Sequence, residues 1–148
     1  MAPDLMKTLP PGTFFRAHAG FPSPGEDWIE QELDVASLLV PHPTSTYFAQ
    51  VSGHSMQGAG IGDGDLLVID KALDPKPGSI IIAVLDGQYV VRQFDMRHET
   101  ILLLAAHPAY PPIPITSETR FAVWGVVTFV LKPLAPTGPL AAQLSQRS

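Results

Sequence analysis

The chain has 148 residues, 45% of them hydrophobic, with a formal net charge of −5 and no cysteine. That is the size of one ordinary domain, able to bury roughly 70% of its unfolded surface. The acidic balance disfavours sequence-independent binding to a phosphate backbone, and the lack of cysteine excludes disulfides, thiolate catalysis and cysteine-based zinc sites.

Met1 to Lys7 lacks the apolar stretch of a signal peptide, and no 18-residue apolar window exists. The expectation is a soluble, cytoplasmic chain with no membrane association. Sixteen prolines argue against a helical bundle. Residues 1–40 read as an arm rather than a domain. Pro10-Pro11-Gly12 and Phe21-Pro22-Ser23-Pro24-Gly25 are breakers around a short extended segment, residues 13–20. Residues 26–34 are acidic, with Trp28, Ile29 and Leu33 as apolar points. Asp34 is placed to cap a short helical turn over 35–39, ended before Pro41.

From Thr46 the pattern becomes strand-like. Residues 46–51 are aromatic and β-branched, 66–69 form a continuous apolar run, and 79–85 a second one. Asp86-Gly87 signals a tight hairpin leading into an alternating strand over 88–94. Another strand is expected over 100–105, then a proline-rich loop over 107–114. A long final strand over 121–131 is kinked at Gly125. The fold class predicted is all-β. Residues 41–133 form the domain, and 134–148, rich in Pro, Ala, Ser and Gln, form a disordered tail.

The stretch Ser52-Gly53-His54-Ser55-Met56, followed by glycines 58–64, is the chemical candidate. Ser55 has the small, turning neighbourhood that a nucleophilic hydroxyl needs. Gly53 lets the backbone turn, and N–H groups near Ser55 and Met56 can stabilise an oxyanion. The same features describe an ordinary turn, so the residues alone leave both readings open. The glycine run lacks the Gly-Lys-Ser/Thr ending of a phosphate loop. Asp63 and Asp65 lack the other ligands of a calcium loop. The histidines at 18, 42, 54, 98 and 107 show no metal-binding spacing. No metal and no cofactor is expected. A triad of Ser55 with His98 or His107 and an aspartate is not favoured by the spacing. Pro41-His42-Pro43 reads as a rigid connector.

Six segments carry a resemblance in a fixed order: 21–24, 31–34, 42–48, Ser52 to Met56, Gly62-Asp63-Gly64-Asp65 with Leu66 to Val68, and Gly125-Val126-Val127. Over about residues 14–132 the chain resembles the UmuD-like proteins of the LexA/UmuD group of self-cleaving serine proteases. Those are SOS-response subunits of the error-prone polymerase V. The resemblance implies a compact, curved β fold, a homodimer and an arm carrying its own scissile bond. It places the nucleophile at Ser55 and the bond at Ala19-Gly20. It implies a RecA filament on single-stranded DNA as activator and a UmuC-like Y-family DNA polymerase as partner, with no direct DNA binding. LexA-type repressors carry a DNA-binding domain ahead of this module, for which this chain has no room.

The group's general base is a buried, neutral lysine on a strand, and the matching position is Arg92. No lysine lies between Lys76 and Lys132. Burial lowers a lysine from about 10.4 by up to roughly 3–5 units, enough to make a base near neutrality. Arginine starts near 12.5–13.8, and bringing it to pH 7 needs roughly 6 units, or about 8 kcal/mol. Arg92 is therefore a poor base. Three accounts of it follow: a crippled protease that keeps its partner role, a slow or high-pH protease, or a lysine deliberately replaced. The readings of function are an impaired self-cleaving protein of SOS mutagenesis, a non-catalytic dimeric module for a polymerase or RecA filament, and a LexA-like regulator.

Overall fold

The computed structural model describes residues 11–15 and 29–135. The bond Ala19-Gly20, Trp28 and most of the expected tail lie outside these residues. Contacts divide the chain into two units between Pro41 and His42.

In the first unit, β1 (Thr13–Phe15) pairs antiparallel with β2 (Ile29–Glu32). The Leu33 N–H extends the pairing by donating to Gly12 O at 3.0 Å. Strand β2, with its sequence Ile-Glu-Gln-Glu, shows no alternation and was not anticipated. Helix α1 (Val35–Leu39) forms where the capping signal placed it. Asp34 accepts the Ser37 N–H at 3.2 Å and the Ser37 hydroxyl at 2.7 Å. These bonds, the hydroxyl's first, hold the Asp34 carboxyl below its ordinary pKa.

The second unit is one antiparallel sheet, as the alternating and apolar runs imply. Its strands are β3 (Thr46–Gln50), β4 (Leu66–Asp70), β5 (Ile80–Leu85), β6 (Gln88–Arg97), β7 (Thr100–Leu104), β8 (Ile113–Pro114) and β9 (Phe121–Leu131). Their order is β3-β4-β9-β5-β6-β7-β8. The chain is thus mostly β, with little helix, in agreement with the expected class. Two details differ. Strand β6 runs three residues past Phe94, and the proline-rich loop contributes β8, with Pro114 opposite Leu102. A proline is tolerated there because β8 is an edge.

The β5–β6 hairpin sets the frame for the site. Asp86 and Gly87 have φ of 49° and 84°. Two left-handed residues make the turn whose twist matches the flanking strands. The register then runs without slip, Leu85 opposite Gln88 and Ile81 opposite Arg92. The kink expected at Gly125 takes the form of two irregularities in β9. Against β5 the register skips Trp124, and against β4 it skips Thr128. Gly125 sits where a Cβ would stand 2.5 Å from Ile69 Cγ2, so the two strands approach there closely.

A hydrophobic core packs on each face of the sheet. Met56, Ile61, Leu67, Ile69 and Ile82 form one core. Ile81, Ala83, Phe94, Leu103 and Val126 form the other. Neighbouring Ile81 and Ile82 divide between them, as the period of two requires. The His42 ring is more than a connector. Its Nδ1 lies 2.7 Å from Asp70 Oδ2, while Ser45 Oγ donates to Asp70 Oδ1 at 2.7 Å. The Ala72 N–H adds a third bond. Together, with His42 foremost, they hold the buried Asp70 carboxyl down to about 2.

Candidate active site

The loop from Val51 to Asp65 presents Ser55, and its anchors are local. The Val51 N–H donates to Asp65 O and the Gly64 N–H to Val51 O, each at 2.8 Å, so the loop closes on itself. Gly53 turns at φ +99°, a conformation open to few other residues. Its N–H donates to Asp63 Oδ1 at 2.8 Å. Asp65 is buried and accepts the Gly62 N–H and the Lys132 ammonium. The two aspartates considered for calcium are thus loop fasteners.

Met56 is 2% exposed, and its side chain is part of the first core. It fixes the residue beside Ser55 by burial. A short 3-10 turn over Gln57–Ala59 follows, closed by Gly60 at φ +81°. The loop is also tied to the end of β7: Ala106 N–H donates to Ser55 O at 2.8 Å, and Gly58 N–H donates to Ala106 O at 2.7 Å. Among the described residues, no acceptor receives the backbone N–H of Ser55 or Met56.

Ser55 and Arg92, 37 residues apart, meet. Arg92 Nη1 donates to Ser55 Oγ at 2.7 Å and to Val91 O at 2.8 Å. The guanidinium is half-buried and lies 5.7 Å from the centre of the Tyr110 ring. Its Nε is closed off and has no hydrogen-bond partner among the described residues. Burial lowers the Arg92 pKa from its ordinary value, while Tyr110 opposes that shift. Tyr110 comes from the proline-rich loop, and His107 stands edge-on to it with ring centres 5.3 Å apart. Nothing in the sequence marked Tyr110, because only folding brings that loop over β6.

A cavity of about 470 Å³ opens beside the pair. Val51, Leu67, Ile69, Ile82, Val91 and Trp124 supply its apolar wall, and Ser52 to Met56 and Arg92 its polar end. His54 lines it too, with no hydrogen bond to Ser55 among the described residues. His98 and His107 do not line it, and neither does any lysine among the described residues. Lys71 lies over Trp124, 4.7 Å from the ring centre, and Lys132 is held by Asp65. Among the described residues, therefore, no neighbouring lysine stands in for the position that Arg92 fills.

Comparison with known proteins agrees with this architecture. Residues 12–128 match the family described as Peptidase S24-like. Protein ImpA of Escherichia coli is 42% identical over 122 residues, which cover 78% of this chain and 79% of that protein. Protein SamA of Salmonella typhimurium is 40% identical, with 76% and 78% covered. The LexA repressor of Halorhodospira halophila is 35% identical over 84% of this chain but only 55% of the repressor. With its antiparallel sheet, its serine loop and these relatives, the chain belongs to the Peptidase S24-like family, as a UmuD-like member of the LexA/UmuD group.

Proposed function

We propose that this chain is a UmuD-like accessory protein of SOS mutagenesis and translesion synthesis, with a serine self-protease site whose base is impaired. The observation that carries the reading is the 2.7 Å contact between Ser55 Oγ and Arg92 Nη1, within a fold matched over residues 12–128. Ser55 is the nucleophile, and its substrate is the bond Ala19-Gly20 in the arm formed by residues 1–40. The N–H groups of Ser55 and Met56, unmet among the described residues, receive the oxyanion in this reading, on a backbone that Gly53 turns. Arg92 holds the hydroxyl in place but does not accept its proton, so self-cleavage is slow at neutral pH. The protein acts as a cytoplasmic homodimer, takes a RecA filament on single-stranded DNA as activator, and joins a UmuC-like Y-family polymerase.

A second reading draws on the same arginine. With a permanent cation in place of the base, the domain serves purely as an interaction module for the polymerase or the filament. Mass spectrometry of the purified protein, alone and with RecA, single-stranded DNA and a nucleotide, tests the first reading. Slow loss of residues 1–19 that stops in Ser55→Ala supports it, whereas rapid loss that survives Ser55→Ala overturns it. A polymerase pull-down unchanged by Ser55→Ala and Arg92→Lys favours the interaction module. Retardation of duplex DNA at moderate salt would instead point to the LexA-like regulator.

A further inference from the structure

The groups nearest Ser55 Oγ are donors in excess of acceptors. A guanidinium has five N–H donors and no acceptor. Arg92 spends Nη1 on Ser55 Oγ and Val91 O. Its Nε is buried without an acceptor, and Nη2 has no protein partner among the described residues. Because Ser55 Oγ accepts from Nη1, its own proton is directed elsewhere. The backbone N–H groups of Ser55 and Met56 also lack acceptors among the described residues. Nε is closed off, so an arriving acceptor meets Nη2, the guanidinium nitrogen left without a protein partner among the described residues.

We infer that the Ser55–Arg92 end of the cavity binds a carboxylate, and that this carboxylate is the free C-terminus of a peptide with apolar last residues. A carboxylate supplies two acceptor oxygens to a planar guanidinium and pairs with it more strongly than a neutral carbonyl does. The remaining wall, with Val51, Ile69, Val91 and Trp124, accepts apolar side chains. The peptide is preferred to a simple fatty acid because Ala49 to Ser52 also line the cavity. Ala49 and Gln50 end β3, with Val51 and Ser52 just beyond it; β3 is the outermost strand of the sheet, and its far side pairs with no strand among the described residues. An extended chain can add its backbone bonds there.

The inference rests on Ser55 and Arg92 forming the site, but not on cleavage. Gain of cutting in Arg92→Lys without any carboxylate preference in the unmodified chain removes this inference alone. The full chain is titrated with acetyl-Ala-Val-Ala as free acid, with its C-terminal amide, and with hexanoate. Affinity is read by calorimetry and the Ser55 and Met56 amides by NMR. The free acid should bind roughly tenfold or more tighter than the amide and shift both signals. Arg92→Gln should abolish that preference, and Ser55→Ala, which keeps the cation, should weaken it severalfold should the first variant not fold. Equal binding of acid and amide, or unmoved Ser55 and Met56 signals, overturns the site. Hexanoate binding as tightly as the peptide acid overturns the peptide as its ligand.

Discussion

Replacing Arg92 by lysine is the most direct perturbation of the proposed chemistry. Arg92 stands on β6 opposite Ile81 and reaches Ser55 Oγ through Nη1 at 2.7 Å. Lysine ends one bond shorter, within reach of the same hydroxyl with a small adjustment. The half-buried surroundings that lower the arginine pKa act in the same direction on a lysine. If the environmental shift is common to both, the difference is intrinsic. It is at least about 2 pKa units, from roughly 12.5 to 10.4, or about 3 kcal/mol in the cost of a neutral base. Self-cleavage at Ala19-Gly20 at neutral pH should therefore accelerate at least ~100-fold in Arg92→Lys. The rate should climb about tenfold per pH unit below the new lysine's pKa and then level off, while the unmodified chain keeps climbing to pH 10. Time courses by intact-mass spectrometry, from pH 7 to 10, measure this. A folded Arg92→Lys protein that cuts no faster than its parent refutes the placement of the base.

Three further outcomes are expected. Asp70 has a carboxyl depressed to about 2 by His42, Ser45 and the Ala72 N–H. Its stabilisation is complete above the unfolded value of about 4 and is lost as pH falls through about 2. Acid unfolding followed by circular dichroism should show that loss, and Asp70→Asn should remove the Asp70 share of it. Gly125→Ala places a Cβ 2.5 Å from Ile69 Cγ2, and should lower stability by about 1–3 kcal/mol in urea titrations. Gly58→Ala places a Cβ 2.7 Å from the backbone oxygen of Ala106. It should push the Ser55 loop off β7 and, in the Arg92→Lys background, slow cleavage at least tenfold with little change in the melting of the sheet.

The sheet was legible because its strands carry local signals. The apolar runs at 66–69 and 79–85, the Asp86-Gly87 turn and the alternation after it each act over a few residues. Strand β2 was not legible, since its glutamates and glutamine present no period of two. Strand β8 was hidden by its proline, which edge position alone excuses. At the site, the loop residues marked Ser55 as a candidate, the resemblance singled out position 92, and the two side chains touch. Tyr110 over the guanidinium and the pairing of Asp65 with Lys132 join residues far apart in sequence. No local pattern encodes either. Met56 was expected to serve through its backbone, yet its side chain is a core anchor for the whole loop.

The β5–β6 turn has a final consequence. A two-residue loop leaves no slack, so the identity of the residue facing Ser55 is a matter of counting from Gly87. One residue inserted between Gly87 and Arg92 would carry the guanidinium to the opposite face and bring a valine towards the hydroxyl. A substitution at 92, by contrast, leaves every rung of that ladder in place. The scaffold is thus intolerant of changes in length but open to substitution at this position, so the proposed reactivity could be gained or shed in one step with no strand rebuilt.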